Sequence, residues 1–395
     1  VAHQTIARVQ ARALRIPRDI TDARGTAGSP AVLGATAGPR YRWAETYRTL
    51  YSDHLETVLV SIETTDGLLG WGEAQAPVAP EIARTVIDTL LAPLLVGEDA
   101  LAPEAIWDRL YAAMRVRGHT GSFLLDAMAG IDLAVWDLCG KAYGQPVYRL
   151  LGGPCRGALP CYVSGLGGAS RDQRVDEARA WVARGARAFK LFFAGSEADC
   201  LADLDALRAA LGPAADVSLF VDALWRLDAR SAPRFADALA ARDVGWLEAP
   251  LMPEDVAGHA RLARRTRVPI AIGESYRTRY EVRPFFERGA VGVLQPDLGR
   301  SGITESRKLA TLADTFHVPI APHVSIGLGP QLAAALHLSA ATSNLACLEV
   351  NPRVQEVANR FLRSPLPTGV ADLTPPERPG LGIEIDEDAI APFVL

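Results

Sequence analysis

The run VSLFVDALWRLDARSAPRFADALAARDVGWLEAP, residues 217–250, contains one complete repeat of the chain. Its first six residues are β-rich and close on Asp222. APRFADALAAR (232–242) carries apolar residues at helical spacing, and VGWLEAP (244–250) is β-rich again and closes on Glu248. The two acids stand 26 residues apart, the length of one strand–helix unit. Similar short runs lie on both sides: LPCYVSG (159–165), AFKLFF (188–193), VPIAIGE (268–274), VGVLQPD (291–297), VPIAPH (318–323) and LACLEV (345–350). Eight such runs, separated by amphipathic stretches, predict an α/β fold with a parallel TIM-type barrel and right-handed crossovers. Asp222, Glu248, Glu274, Asp297, His323 and Glu349 each end a run, at separations of 26, 26, 23, 26 and 26 residues. Strand C-termini share one end of a barrel, so this register gathers five carboxylates and a histidine at one mouth.

The first 150 residues have a different texture. ETVLVSIETTDGLLGWGEA (56–74) reads as two strands about the Asp66-Gly67 turn. Helical patterns follow at 79–95, 102–114 and 122–144. The Gly/Ala-rich stretch 20–40 has no period and reads as a mobile loop. The expected organisation is an α+β capping domain over 1–150, a barrel over 151–360, and a Pro/Gly-rich segment, 361–395, returning to the cap.

Bulk properties exclude several classes. The 395 residues are 49% hydrophobic and 22% charged with a net charge of −5, and no basic cluster interleaves with aromatics, so nucleic acid is not an expected partner. Five cysteines without CxxC spacing argue against a disulfide framework or zinc site. No apolar run reaches about 18 residues and no leader pattern opens the chain, so membrane partners are not expected and the expected setting is the cytoplasm.

The mouth residues suit particular chemistry. Asp222, Glu248 and Glu274, on successive strands, are hard oxygen donors for one Mg²⁺ that leaves positions for a chelating substrate. Asp297 is placed to accept from one ring nitrogen of His323 and so raise the basicity of the other. Glu349 is read either as hydrogen-bonding an oxygen held by the metal or as a structural acid. Lys190 ends the second barrel strand and is one of only three lysines in the chain. Unlike arginine it presents a compact ammonium whose pKa shifts readily. Together these groups suit abstraction of a proton α to a carboxylate, with the enediolate stabilised electrostatically.

At these residues the sequence resembles the enolase superfamily, and within it the mandelate racemase-like branch. The resemblance rests on DGLLGWGEA, GIDLAVWDLCGKAYGQPVYRLLGG, FVDA, WLEAP, IGES, LQPDLGRSGITES, APHVSIGLG and PGLGIEID, and it spans nearly the whole chain. It implies a modified (β/α)7β barrel under an α+β cap, Mg²⁺ on Asp222, Glu248 and Glu274, and an Asp297–His323 base. It also implies homo-oligomers, and specificity from cap loops around 20–54. Arg42, Arg48, Tyr51 and Arg117 are the candidate substrate contacts.

Two residues depart from the branch's pattern. Its Lys-x-Lys on the second barrel strand becomes Lys190 and Phe192, and its common Asn after the first metal ligand becomes Leu224. Residues i and i+2 of a strand share a face, so Phe192 points where a second base would stand. A racemase needs acid/base groups on both faces, so one-sided chemistry by His323 is expected instead. The reading is Mg²⁺-dependent dehydration of an aldonate or aldarate to a 2-keto-3-deoxy acid. Its rival is a sugar-lactone cycloisomerase; a racemase or a non-catalytic sugar-acid binder fits the intact acids and single base less well.

Overall fold

A computed structural model describes residues 3–17, 40–45, 48–193 and 195–395. Of the stretch read as a mobile loop, all but Arg40 lies outside the described residues. In the cap, β1 (Ile6–Pro17), β4 (His54–Thr64) and β5 (Leu69–Ala74) form an antiparallel sheet in the order β1-β4-β5. A separate hairpin pairs β2 (Tyr41–Ala44) with β3 (Thr49–Ser52). The expected β4–β5 turn is present, with Gly67 at φ +87° where a side chain would be strained. Helices α1 (Pro80–Val86), α2 (Pro103–Arg115) and α3 (Phe123–Tyr143) follow. The first helical stretch stops short of its expected length, passing into a π turn and a 3-10 turn by Leu94.

Helix α3 lies very close on β5. A Cβ on Gly72 would stand 2.0 Å from the Gly130 carbonyl oxygen, so only glycine permits this approach.

The barrel alternates β6 (Cys161–Ser164), α4 (Arg171–Ala183), β7 (Ala188–Phe192), α5 (Glu197–Leu211), β8 (Ser218–Asp222), α6 (Ser231–Ala240), β9 (Leu247–Glu248), α7 (Val256–Ala263), β10 (Ile270–Ile272), α8 (Arg279–Glu287), β11 (Val293–Leu294) and α9 (Leu298–Thr315). It ends with α10 (Pro330–Ala340), β12 (Leu348–Val350) and α11 (Pro352–Asn359). Seven strands form one sheet in the order β11-β10-β9-β8-β7-β6-β12, and every pair is parallel. The run 318–323 closes the ring through isolated pairs, Leu294 with Ile320 and Ile320 with Leu345, rather than a full strand. Pro319 and Pro322 supply no N–H to a ladder, which explains the difference. Eight strand positions with seven helices between them make a (β/α)7β barrel.

One buried layer fixes where the mouth begins. Tyr162, Ala188, Phe220, Trp246, Ala271, Val293, Ala321 and Cys347, one from each strand position, fill the barrel interior. Bulk is concentrated on one side, where Phe220 stacks on Trp246 at 3.4 Å and Tyr162 meets both edge-on. Two residues further along, the strand period returns Ser164, Lys190, Asp222, Glu248, His323 and Glu349 to the interior face. The polar layer therefore rests on an apolar floor.

The cap is pinned to the barrel by α3. Buried Asp132 accepts from the Ile303 and Thr304 amides at 2.6 and 2.9 Å, where α9 kinks at Gly302 (φ +66°). Burial pushes its carboxyl up to about 6. The last residues lie on β1, with Leu395 N donating to Ala13 O at 2.9 Å and Leu14 bridging to Val394.

Candidate active site

The polar layer opens into a cavity of about 500 Å³ at the mouth, walled by the barrel and by the β2–β3 hairpin. Lys190 is 1% exposed; its Nζ lies 2.6 Å from Glu248 Oε1 and 2.9 Å from Glu349 Oε1. Burial opposes its charge, but the two carboxylates prevail and hold its pKa well above the ordinary lysine value. Phe192 lies on the same side, its ring centroid 5.6 Å from that ammonium, and packs with Leu224.

His323 Nδ1 lies 2.7 Å from Asp297 Oδ2, and its Nε2 2.7 Å from Glu274 Oε2. Burial opposes the imidazolium here too, yet Glu274 and Glu349 hold it well above the usual histidine range. Glu274 answers in the opposite sense: burial would raise it, but His323 brings it down to about 2. Asp297 also N-caps α9 by accepting from Gly299 N at 2.8 Å. Glu349 Oε2 accepts from Val324 N at 3.1 Å; burial works to raise this acid, but Lys190 and His323 lower it.

Asp222 and Glu248 are register partners on β8 and β9, and Glu274 follows β10. Asp222 makes no ion pair among the described residues; burial, then Glu248, push its carboxyl well above the carboxylate range. Burial likewise raises Glu248. Four buried acids and the half-buried Glu274 thus surround Lys190 and His323, an excess of negative charge that a hard divalent ion would relieve. Among the described residues no three acid, histidine or cysteine groups are already gathered to hold an ion. Glu248 is turned to Lys190, Gln295 and Trp246, and Glu274 to His323. The acids fit a cation by donor chemistry and by their place on successive strands.

Of the candidate substrate contacts, Arg48 and Tyr51 line the cavity from the hairpin, where Tyr51 pairs with Arg42. Arg117 does not line it, standing exposed on the turn after α2. Other site residues carried no strong signal in the sequence. Gln295 donates to Glu248 Oε2 at 2.7 Å; its position two residues before Asp297 was the only hint. Gln75, with its amide nitrogen turned to Asp297, donates to both carboxylate oxygens at 3.0 Å and accepts from Ser325 at 2.5 Å. Ser164 and Arg300 also line the cavity.

A capped (β/α)7β barrel with its acids ringed at the mouth defines a class of enzyme fold, and comparison with known proteins agrees. Residues 48–152 match the mandelate racemase / muconate lactonizing enzyme N-terminal domain, and residues 173–389 the enolase C-terminal domain-like family. The chain belongs to the mandelate racemase / muconate lactonizing enzyme branch of the enolase superfamily. It is 38% identical to a D-galactarolactone cycloisomerase of Agrobacterium fabrum over 86% of this chain and 92% of that one. It is 36% identical to a D-galactonate dehydratase of Ralstonia nicotianae over 84% and 89%. A crystal structure of an enolase superfamily member from Agrobacterium tumefaciens superposes with a TM-score of 0.93 at 33% identity, covering 100% of both chains. A racemase from Streptomyces coelicolor A3(2) with bound magnesium gives 0.83 at 25% identity, covering 99% of this chain and 100% of that one. Among the described residues no helix is long and apolar enough to cross a membrane.

Proposed function

We propose that this enzyme dehydrates a sugar acid, an aldonate or aldarate, by one-sided proton chemistry. The observation that carries the reading is the asymmetry of the cavity. One wall holds His323 with Nδ1 tied to Asp297 at 2.7 Å, and the other presents Phe192 and Leu224. The Asp297 contact fixes the tautomer, so Nε2 is the basic nitrogen once it leaves Glu274. Nε2 takes the α-proton, and negative charge spreads onto the substrate carboxylate as an enediolate. Lys190, held charged by Glu248 and Glu349, stabilises that charge above the apolar floor. The β C–O bond then breaks, the imidazolium returns its proton to the departing hydroxyl, and the enol tautomerises to a 2-keto-3-deoxy acid.

Asp222, Glu248 and Glu274 are the residues we assign to Mg²⁺, which when bound supplies Lewis-acid polarisation of the substrate carboxylate. The magnesium-bound racemase structure supports that choice of ion.

One observation favours a second reading. The side chains of Phe192, Leu224, Trp225 and Met252, which line the cavity, carry no acid able to protonate a leaving group. Hydroxide is a poor leaving group, since water has a pKa of about 15.7, and it needs an acid. The ring oxygen of a lactone leaves as a carboxylate, of pKa about 3.5, and needs none. Cycloisomerisation of a sugar lactone therefore uses the same proton abstraction with a smaller demand on the site. Incubating the Mg²⁺-loaded enzyme with sugar acids and separately with their lactones, and trapping keto acid with semicarbazide, decides between them. Keto acid from open acids supports dehydration. Turnover of lactones alone contradicts it.

A further inference from the structure

Besides His323, one ammonium and two guanidinium groups line the cavity, and they are not equivalent. Lys190 is committed to Glu248 and Glu349. Arg300, in the first turn of α9, makes no side-chain hydrogen bond or ion pair among the described residues, and its Nε is buried with no acceptor. Its charge is felt at longer range by Glu274, which it helps to lower, and by Asp126, where it opposes the burial that raises that carboxyl. Arg48, across the cavity on the hairpin, likewise has no ion pair among the described residues, and it holds a left-handed backbone (φ +50°) without being glycine.

Arg277 is paired bidentately with Asp126, and Arg279 with Glu305. A buried Nε with no acceptor carries a desolvation cost that an incoming anion would remove. The planar fork of arginine matches a carboxylate through two parallel N–H···O bonds. The first carboxylate of a sugar acid is already provided for by Lys190 and by the ion we assign to Asp222, Glu248 and Glu274. We infer that Arg300 receives a second carboxylate, with Arg48 facing it from the cap, and that the substrate is a dicarboxylic sugar acid or its monolactone rather than a monoacid.

The inference rests on the sugar-acid reading above. It assigns Arg300 to specificity, distinct from the proton chemistry of His323. A neutral Arg300 variant therefore changes the ranking of substrates, whereas loss of the dyad changes the rate with all of them.

The test uses full-length Mg²⁺-loaded enzyme with galactarate and its 1,4-lactone as diacid probes and D-galactonate as the monoacid probe. Steady-state kcat and KM are measured for wild type, Arg300→Met and Arg48→Met. Wild type is expected to prefer a diacid probe. Arg300→Met should reduce that preference roughly 10- to 150-fold, mainly through KM, as expected for the loss of a hydrogen bond to a charged group. Arg300→Lys, which keeps the charge and loses the fork, serves with the same readout should the methionine variant fail to fold, and should fall between the two. Equal effects on diacid and monoacid, or a wild-type preference for galactonate, would overturn the assignment of Arg300. α-Proton exchange in D2O is followed in parallel. Exchange that persists while the preference fails to move refutes the diacid inference alone; no exchange with any probe refutes the sugar-acid reading and the inference with it.

Discussion

Replacing Phe192 with lysine should give this site the second base it lacks. The Phe192 ring centroid stands 5.6 Å from Lys190 Nζ, which locates the new amine to a first approximation. At an effective dielectric of about 20, two ammonium ions at that separation repel by about 3 kcal/mol. That is worth about two pKa units and would bring the new amine from about 10.4 toward about 8. Packing beside Leu224 lowers it further, while Glu248 and Glu349 offset part of the repulsion. An amine in that range is a competent base at pH 8. The assay uses a 3-deoxy sugar acid, which has no β-oxygen to lose, so that proton transfer is observed alone by NMR in D2O. Wild type should exchange the α-proton with retention. Phe192→Lys should also generate the α-epimer. A folded, Mg²⁺-loaded variant that forms no epimer would refute the placement of Phe192, and so would epimerisation by the wild type.

Other outcomes follow from the same geometry. Asp297→Asn, which leaves the shape but withdraws the carboxylate from His323 Nδ1, should lower kcat roughly 10²- to 10⁴-fold with unchanged far-UV circular dichroism. Chelation should abolish turnover and Mg²⁺ restore it, and at one hundred times its Kd the ion should stabilise the fold by about 2.7 kcal/mol in thermal scans. Asp222→Asn should remove most of that stabilisation. Glu73 is fully buried and accepts from Thr57 Oγ1, Leu328 N and Gln331 N; burial raises its carboxyl from 4.5 to about 7. The folded state therefore holds a proton that the unfolded state releases, and stability should decline by about 3 kcal/mol as pH rises from below 4.5 through 7. Urea unfolding at pH 5 and pH 8 should show this decline in wild type and its loss in Glu73→Gln.

The barrel was legible because its strands carry chemistry at their ends. The spacing from Asp222 to Glu349 marked the repeat even where strands are as short as Leu247–Glu248. Features without such marks were harder to read. Helix α10 is buried on every side, so it has no amphipathic period to announce it. β1 alternates arginines with apolar residues along an edge of the cap sheet and did not stand out as a strand. The run 318–323 reads as a strand by composition, but its two prolines reduce it to bridges. In the site, charged residues at strand ends could be foreseen, whereas Gln75, Gln295 and Ser164 are neutral and gain meaning only from what they touch. Gln75 in particular comes from the cap, 222 residues before the acid it contacts, and no local pattern connects the two. Arg117 stands apart for the complementary reason: a basic residue in a cap loop reads as a substrate contact by composition, and the fold sets it on an exposed turn outside the cavity lining.

The proposed chemistry depends most on His323 as the group that takes the α-proton. Its direct test is the rate of α-proton exchange in D2O for wild type and His323→Asn, both Mg²⁺-loaded, with the 3-deoxy acid as substrate. Wild type should exchange the proton on one face, and His323→Asn should lose at least about 10²-fold in that rate while still binding the acid. Exchange by His323→Asn at the wild-type rate would contradict the account, and the base would have to be sought elsewhere in the cavity.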